Sequence, residues 1–251
     1  MAAGAVKVNR TAINSKKCAV FDGVDDIITI PYNAILEPQN FTISGWAKPS
    51  SSGGGTFGRL YSKDESNGAI VGMNGEGLRL TVGWLSGTNI DTPYGVWTHF
   101  TFIKDGTNIW RYKNGVKVGV ADNYTGGTIL YGAGAGIIGG RDTDNNRNYD
   151  GAVGDLRLWG RVLTDEEITK NYNGARITKD LIGEWKLGKD YKDTSIYGND
   201  GINSGTYLSE VDDAIAAAIK ADRTTANDIY LLTGAGKQNM EFVSTIIEES
   251  P

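Results

Sequence analysis

One cysteine, one histidine, three methionines and five prolines are all that 251 residues hold of these types. With Cys18 alone, no intrachain disulfide can form. No apolar run approaches the roughly 20 residues of a membrane-spanning helix. The opening stretch, MAAGAVKVNR, lacks a charged segment followed by a long apolar one, so it does not read as a secretory signal. The 25 Lys and Arg are dispersed among 30 Asp and Glu, for a net charge of −5, and no basic run marks a nucleic-acid footprint. No repeat of about 20 to 50 residues is present. These absences predict a soluble chain from a reducing compartment, with neither a nucleic-acid partner nor a membrane span.

Glycine is the abundant residue. Its 35 copies are about twice the usual share. They are scattered without a three-residue period, which excludes collagen and reads as many tight turns. Strand-like runs recur about every 8 to 12 residues. They cover 18–22, 27–31, 41–48, 57–62, 78–85, 96–104, 107–113, 136–140, 152–159 and 181–187. The pattern predicts an all-β sandwich or barrel. WTHFTFIKDGTNIWRYKNGVKVG is its clearest part. Asp105-Gly106 and Asn114-Gly115 are expected as two-residue hairpin turns of a three-stranded meander.

One short helix is specified over LTDEEITKNYNG. Thr164 and Glu167 form a capping box, Leu163 and Ile168 a hydrophobic staple, and Gly174 a stop. A second helix is expected from near Ser209, with Glu210, Asp212 and Asp213 in its first turn and Val211, Ile215 and Ile219 as an apolar stripe. Tryptophan ceases and alanine rises near residue 208. This divides the chain into a sandwich, 1–207, and a helical extension, 208–251.

The segments CAVFDGVDDIITIPYN, FTISGWAKP, GVWTHFTFIKDG, WRYKNGVKVG, GIIGG and YDGAVGDLRLWGRVLTDEEI occur in this order over about residues 17–175. Together they resemble laminin-G-like domains of the concanavalin A-like lectin/glucanase superfamily. That resemblance implies a two-sheet antiparallel jelly-roll sandwich and leaves function open, since the fold hosts lectins, glucanases and structural modules. LIGEWKLGKDYKDTSIYGNDGINSG, at 181–205, resembles the opening strand of such domains, which in the family precedes the FDG strand. Either the domain is circularly permuted or a truncated second copy begins. The roughly 45 residues that follow are too few for a second copy, which favours permutation.

Glucanases of the superfamily carry carboxylates at alternate positions of one strand, and no ExDxE pattern occurs here. Asp165, Glu166 and Glu167 belong to a helix cap. His99 alternates with aromatics and reads as a structural histidine, and Cys18 as a buried thiol. No catalytic residue is assigned, and the chain reads as a non-enzyme. Two acidic clusters suit an oxygen-liganded cation such as Ca²⁺, the one cofactor the residues would hold. They are Asp22, Asp25 and Asp26 in FDGVDD, and Asp142, Asp144, Asn146 and Asp150 in RDTDNNRNYDG, with Asp155 following. Asp22, Asp25, Asp142, Asp144 and Asp155 are the metal candidates. Arg147 and Val153 break the helix–loop–helix calcium pattern, and Asp and Asn also favour turns without any metal.

Sugar binding needs aromatic platforms beside amides and carboxylates. Trp84, Tyr94, Asn146 and Tyr149 are the ligand candidates, with Tyr124 and Tyr131 also near loops. Trp46, Trp97, Trp110 and Trp159 lie within strands and are expected in the core. The expected function is a non-catalytic, lectin-like module displayed on a particle such as a phage virion, as a decoration or fibre protein. The alternatives are a glycan-binding adhesin or carbohydrate-binding module and, last, a glycoside hydrolase. A glycan or a particle-surface protein is the expected partner. Homo-oligomers are expected to form through the extension, and the setting is a virion or extracellular surface reached without a signal peptide.

Overall fold

The computed structural model describes residues 17–64, 67–141 and 147–209. The extension from residue 210, with most of its expected helix, lies outside them, as do Asp142, Asp144 and Asn146. In chain order the described strands are β1 (Cys18–Asp22), β2 (Ile27–Ile30), β3 (Phe41–Pro49), β4 (Arg59–Lys63), β5 (Ala69–Met73), β6 (Gly77–Val82), β7 (Leu85–Ser86), β8 (Ile90–Asp91), β9 (Thr98–Asp105), β10 (Asn108–Lys113), β11 (Val116–Lys117), β12 (Asp122–Asn123), β13 (Gly136–Ile138), β14 (Asp150–Trp159), β15 (Leu181–Trp185), β16 (Ile202–Ser204) and β17 (Tyr207–Ser209). One α-helix, α1 (Asp165–Tyr172), lies between β14 and β15.

The strands form two antiparallel sheets. The first runs β11-β10-β9-β3-β14-β1-β17, with β12 also on β10 and β15 also on β14. The second runs β16-β2-β13-β4-β5-β6-β7, with β8 also on β6. Strand β14 is long enough to serve two neighbours on one side. Residues Asp150 to Val153 pair with β1, and Leu156 to Trp159 pair with β15. The first-strand-like segment is therefore built into this same sandwich: β15 flanks β14, β16 flanks β2 and β17 flanks β1. Leu208 and Ser209 belong to β17, which carries the sandwich past the expected boundary at 207.

Alternation within the strands sends Phe21, Ile43, Phe100, Leu156 and Trp185 inward from the first sheet. They meet Ile28, Val71, Leu80 and Ile138 from the second. Burying each such side chain contributes roughly 1.5–3 kcal/mol. The first sheet is also covered on its outer face. Ile103, Tyr112, Trp159 and Leu181 form a smaller cluster there with Leu163 and Ile168, which flank or lie on α1.

The meander forms as β9, β10 and β11, with one shift in register. Asp105 pairs with Asn108, so the first turn is Gly106-Thr107 rather than Asp105-Gly106. Positive φ is needed only at Gly106 (+54°), the arrangement with glycine first. The second turn has positive φ at both Asn114 (+51°) and Gly115 (+78°), as expected.

The helix matches its sequence signals. The Thr164 side chain accepts from the Glu167 amide, and the Glu167 carboxylate accepts from the Thr164 amide at 3.0 Å. Gly174 at φ +91° ends it. Thr164→Ala removes the cap acceptor and is expected to cost about 1 kcal/mol. Thermal unfolding should record this as a fall in Tm of about 2–4 °C.

Candidate functional site

A β-bulge on the outer face of the first sheet organises the site. Gly154 pairs with Trp46 and Arg157 with Ser44, so three steps along β14 oppose two along β3. The extra residue is accommodated at Asp155, whose φ is +51°. A non-glycine residue in this region carries strain, which Asp tolerates better than most. The Asp155 amide donates to the Lys186 carbonyl at 3.2 Å, which holds the bulge against the segment after β15.

The bulge sets the Asp155 carboxylate on the wall of a groove. Two adjoining depressions, of about 410 and 430 Å³, share Trp46 and Asp155. Lys17, Lys186, Gly188 and Lys189 line one side. The end of α1 lines the other through Asn171, Tyr172, Asn173 and Gly174. Trp46 and Tyr172 are both half-buried, with ring centroids 5.7 Å apart and planes tilted by 35°. His99 packs edge-on against both, at 5.1 and 5.5 Å. His99 is thus part of the aromatic cluster, buried as a structural histidine should be.

Beneath the groove lies a buried ionic network. The Arg157 guanidinium, 3 % exposed, donates Nε to Glu184 Oε1 at 3.0 Å, pairs Nη2 with Asp155 at 2.9 Å and donates Nη1 to Asn171. Asn171 in turn donates to the Ser44 hydroxyl at 2.8 Å. Glu184, 0 % exposed, also accepts from Arg176 and Thr194, each at 2.7 Å, and pairs with Lys186 at 2.9 Å. Burial alone would raise the Glu184 pKa. Hydrogen bonds from Thr194, Lys186 and Arg176 and the charge of Lys186 overcome it and hold the group at about 2.

Asp155 and Glu184 are a carboxylate pair on one sheet face. Lys186 Nζ touches both, at 3.0 and 2.9 Å, so their contacting oxygens lie within about 6 Å. That bound admits the roughly 5–5.5 Å separation of retaining glycosidases. The chemistry differs, however. A general acid needs a raised pKa, and a nucleophile needs an approach path. Glu184 has neither, because its oxygens are occupied by four donors and it is sealed from solvent. Only Asp155 faces the groove.

The metal candidates divide. Ligand oxygens of Asp22, Asp25 and Asp26 lie within 4.8 Å of one another in the β1–β2 turn. They also serve the turn itself. Asp22 Oδ1 accepts from the Val24 amide at 2.9 Å, and Asp26 Oδ2 from the Asp22 amide at 2.9 Å. Asp150 lies beside this turn, paired with Asp22, and accepts from the Ser51 hydroxyl at 2.7 Å. Asp155 is withdrawn from the metal set: five residues further along β14, it is paired with Arg157 and Lys186.

The ligand candidates divide too. Trp84 is 83 % exposed within the two-residue β6–β7 turn, and Tyr94 is half-buried against the main core. Tyr149 is withdrawn. It is 0 % exposed, edge-on to Phe21 at 6.1 Å, and offers no face to a ligand. Of the four tryptophans expected in strands, Trp159 is fully buried, but Trp46 and Trp110 are only half-buried, as is Trp97, which lies just before β9. Trp46 was legible from its strand. In FTISGWAKP, Phe41, Ile43 and Ala47 form the apolar face, so Trp46 shares a face with Thr42, Ser44 and Lys48.

Glu184→Gln leaves Arg157 buried with a weaker acceptor and is expected to cost roughly 3–5 kcal/mol. Because folding lowers the Glu184 pKa, its contribution is full above the ordinary value of 4.5 and disappears as pH falls towards about 2. Denaturant unfolding of wild type and variant should therefore differ most above pH 5 and converge in acid.

Comparison with known proteins agrees with this architecture. A family model of the concanavalin A-like lectin/glucanases superfamily, of the laminin-G type, matches residues 22–169. Among solved structures, a proposed carbohydrate-binding protein from Bacteroides ovatus aligns with a TM-score of 0.63 at 15% identity, over 78% of this chain and 60% of that one. The chain thus spans about three-fifths of that protein. The native heptameric SAP-like pentraxin from Limulus polyphemus aligns with a TM-score of 0.56 at 19% identity, over 79% of this chain and 97% of that one. Identities this low establish the fold alone. No curated protein matches the sequence. A two-sheet antiparallel sandwich, with the family match covering more than half of the chain, places this protein in the laminin-G-type family of the concanavalin A-like lectin/glucanase superfamily.

Proposed function

We propose that the chain is a non-catalytic, lectin-like carbohydrate-binding domain whose ligand lies in the Trp46 groove. One observation carries this reading: a strained bulge residue, Asp155, presents a carboxylate beside the half-exposed Trp46–Tyr172 pair. Sugar rings offer C–H faces to aromatic surfaces and hydroxyls to carboxylates, amides and ammonium groups. Trp46 and Tyr172 supply the first kind of contact. Asp155, Asn173 and Lys186 supply the second. A rigid floor also favours binding, because little is ordered when the ligand arrives. The similarity to a proposed carbohydrate-binding protein supports the reading at the level of fold.

Calcium belongs to the proposal at the Asp22, Asp25 and Asp26 turn, supported by three carboxylates in reach of one ion and by the cation's preference for oxygen ligands. The accompanying proposal for its setting is display as a homo-oligomer on a particle surface. Sedimentation of the full chain should then show an oligomer, and a monomer at all concentrations would sink that part.

The groove is tested by titrating the full chain with a panel of neutral oligosaccharides, with calcium and again with a chelator. Trp46→Ala and Asp155→Ala should each weaken binding by roughly tenfold or more, about 1.4 kcal/mol. Trp84→Ala should leave it unchanged. Calcium should raise Tm in the wild type and not in Asp25→Asn. Equal binding by wild type and Trp46→Ala would remove the groove as the site.

A further inference from the structure

The Asp155–Lys186 pair sets a polar contact of defined spacing on the wall of the groove. Asp155 Oδ1 and Lys186 Nζ lie 3.0 Å apart, and the two side chains are 31 and 46 % exposed. Neither group is saturated. An ammonium carries three N–H donors. Those of Lys186 meet Asp155 and Glu184, which leaves one. Each carboxylate oxygen has two acceptor sites. Lys186 takes one on Asp155 Oδ1 and Arg157 takes one on Oδ2, so a site is left on each oxygen. The pair thus presents a donor and an acceptor side by side, fixed from below by the buried Arg157–Glu184 network.

That arrangement matches one feature of a sugar ring. Hydroxyls on adjacent carbons are separated by about the length of a hydrogen bond. One can donate to Asp155 while its neighbour accepts from Lys186, and bonds to ionised partners are stronger than bonds between neutral groups. Hydroxyls on alternate carbons stand too far apart to make both contacts. A negatively charged sugar would face the Asp155 carboxylate, so the contact favours a neutral one.

The shape of the groove adds a second constraint. Trp46 and Asp155 line both depressions, of about 410 and 430 Å³, while the other lining residues differ, so these two form the saddle between them. Each depression exceeds the roughly 300 Å³ at which small-molecule sites begin. Tyr172 extends the aromatic surface on the α1 side. Gly174 keeps that wall low, with no packed atom within 4 Å of where a Cβ would stand. A ring seated on Trp46 therefore has room to continue on both sides, as an internal unit of a chain requires.

We propose that the groove binds internal units of neutral, linear saccharide chains that keep free vicinal hydroxyls. Chains of 1,4-linked pyranoses keep them at carbons 2 and 3. Chains of 1,3-linked pyranoses have none on their internal units and are discriminated against. This inference rests on the reading of the groove as a carbohydrate site and adds the class of chain.

The test is calorimetric titration of the full chain with β-1,4- and β-1,3-linked oligosaccharides of glucose, galactose and xylose, from the monosaccharide to the hexasaccharide. For a sugar that binds, the 1,4-linked hexasaccharide should bind roughly tenfold more tightly than the 1,3-linked one, and by a similar factor more tightly than the monosaccharide. Lys186→Met keeps the apolar stem and removes the donor, and should bring the 1,4-linked affinity down towards that of the 1,3-linked chain. Asp155→Asn, close to isosteric, reads the acceptor in the same way should Lys186→Met fail to fold, which circular dichroism checks. Trp46→Ala should weaken both linkages alike. Equal or tighter binding of the 1,3-linked chains in all three sugars overturns the inference, as does a monosaccharide that binds as tightly as the hexasaccharide. In either case a loss of binding in Trp46→Ala would still leave the groove as a saccharide site. A linkage preference unchanged in both Lys186→Met and Asp155→Asn overturns the inference too. Binding of no saccharide in the panel removes the groove reading itself, and the inference with it.

Discussion

A guanidinium sealed inside a protein must find acceptors for its donors, and in this domain the search for them ties four elements together. Arg157 reaches Glu184 on β15, Asn171 on α1 and Asp155 within the bulge of its own strand. Through Asn171 the network extends to Ser44 on β3. Leaving a partner out would strand a buried charge at a cost of several kcal/mol, so the elements are fixed relative to one another. Glu184 is the counterpart. Its saturation by Arg157, Arg176, Lys186 and Thr194 keeps it ionised, which makes it a structural anchor and unsuits it to proton transfer.

The groove follows from that anchoring. Helix α1 is short and rests on a small apolar cluster covering one end of the first sheet. Where the cluster stops, the outer face of the sheet stays open. Trp46 lies at this margin, with Tyr172 from the last turn of α1 on one side and the Asp155 bulge on the other. The main core, the minor core and the groove are thus three consequences of one sheet that is covered completely on its inner face and partly on its outer one. The Trp46, Tyr172 and Asp155 side chains on this platform come from strands and a helix terminus rather than from long loops, which keeps their geometry rigid.

Much of the fold was legible in local sequence. The capping box over Thr164 and Glu167, the glycine stop and the Asn114-Gly115 turn depend on interactions within a few residues, and all formed as read. Strand β5 escaped notice because AIVGM is buried on both faces and shows no alternation, only a short continuous apolar run. Trp46 was misread because a strand tryptophan usually faces the core, although its own strand put it among polar residues. Tyr149 was misread in the opposite sense. It follows a polar, turn-rich stretch, yet packs at the start of β14 against Phe21.

The sequence by itself determined the all-β class, the meander, the capped helix and the resemblance to laminin-G-like domains, because periodicity, turn residues and caps act over short distances. Only the tertiary structure decided what the charges do. Asp155 reads as one acidic residue among several, and a register offset between β14 and β3 makes it the edge of a groove. Arg59 and Arg79 read as dispersed, and strand pairing across Gly72 brings them onto one face. The physical reason is the same in both cases. Register is set by which residues pair across strands far apart in sequence, and a shift of one residue turns a side chain from one face of a sheet to the other.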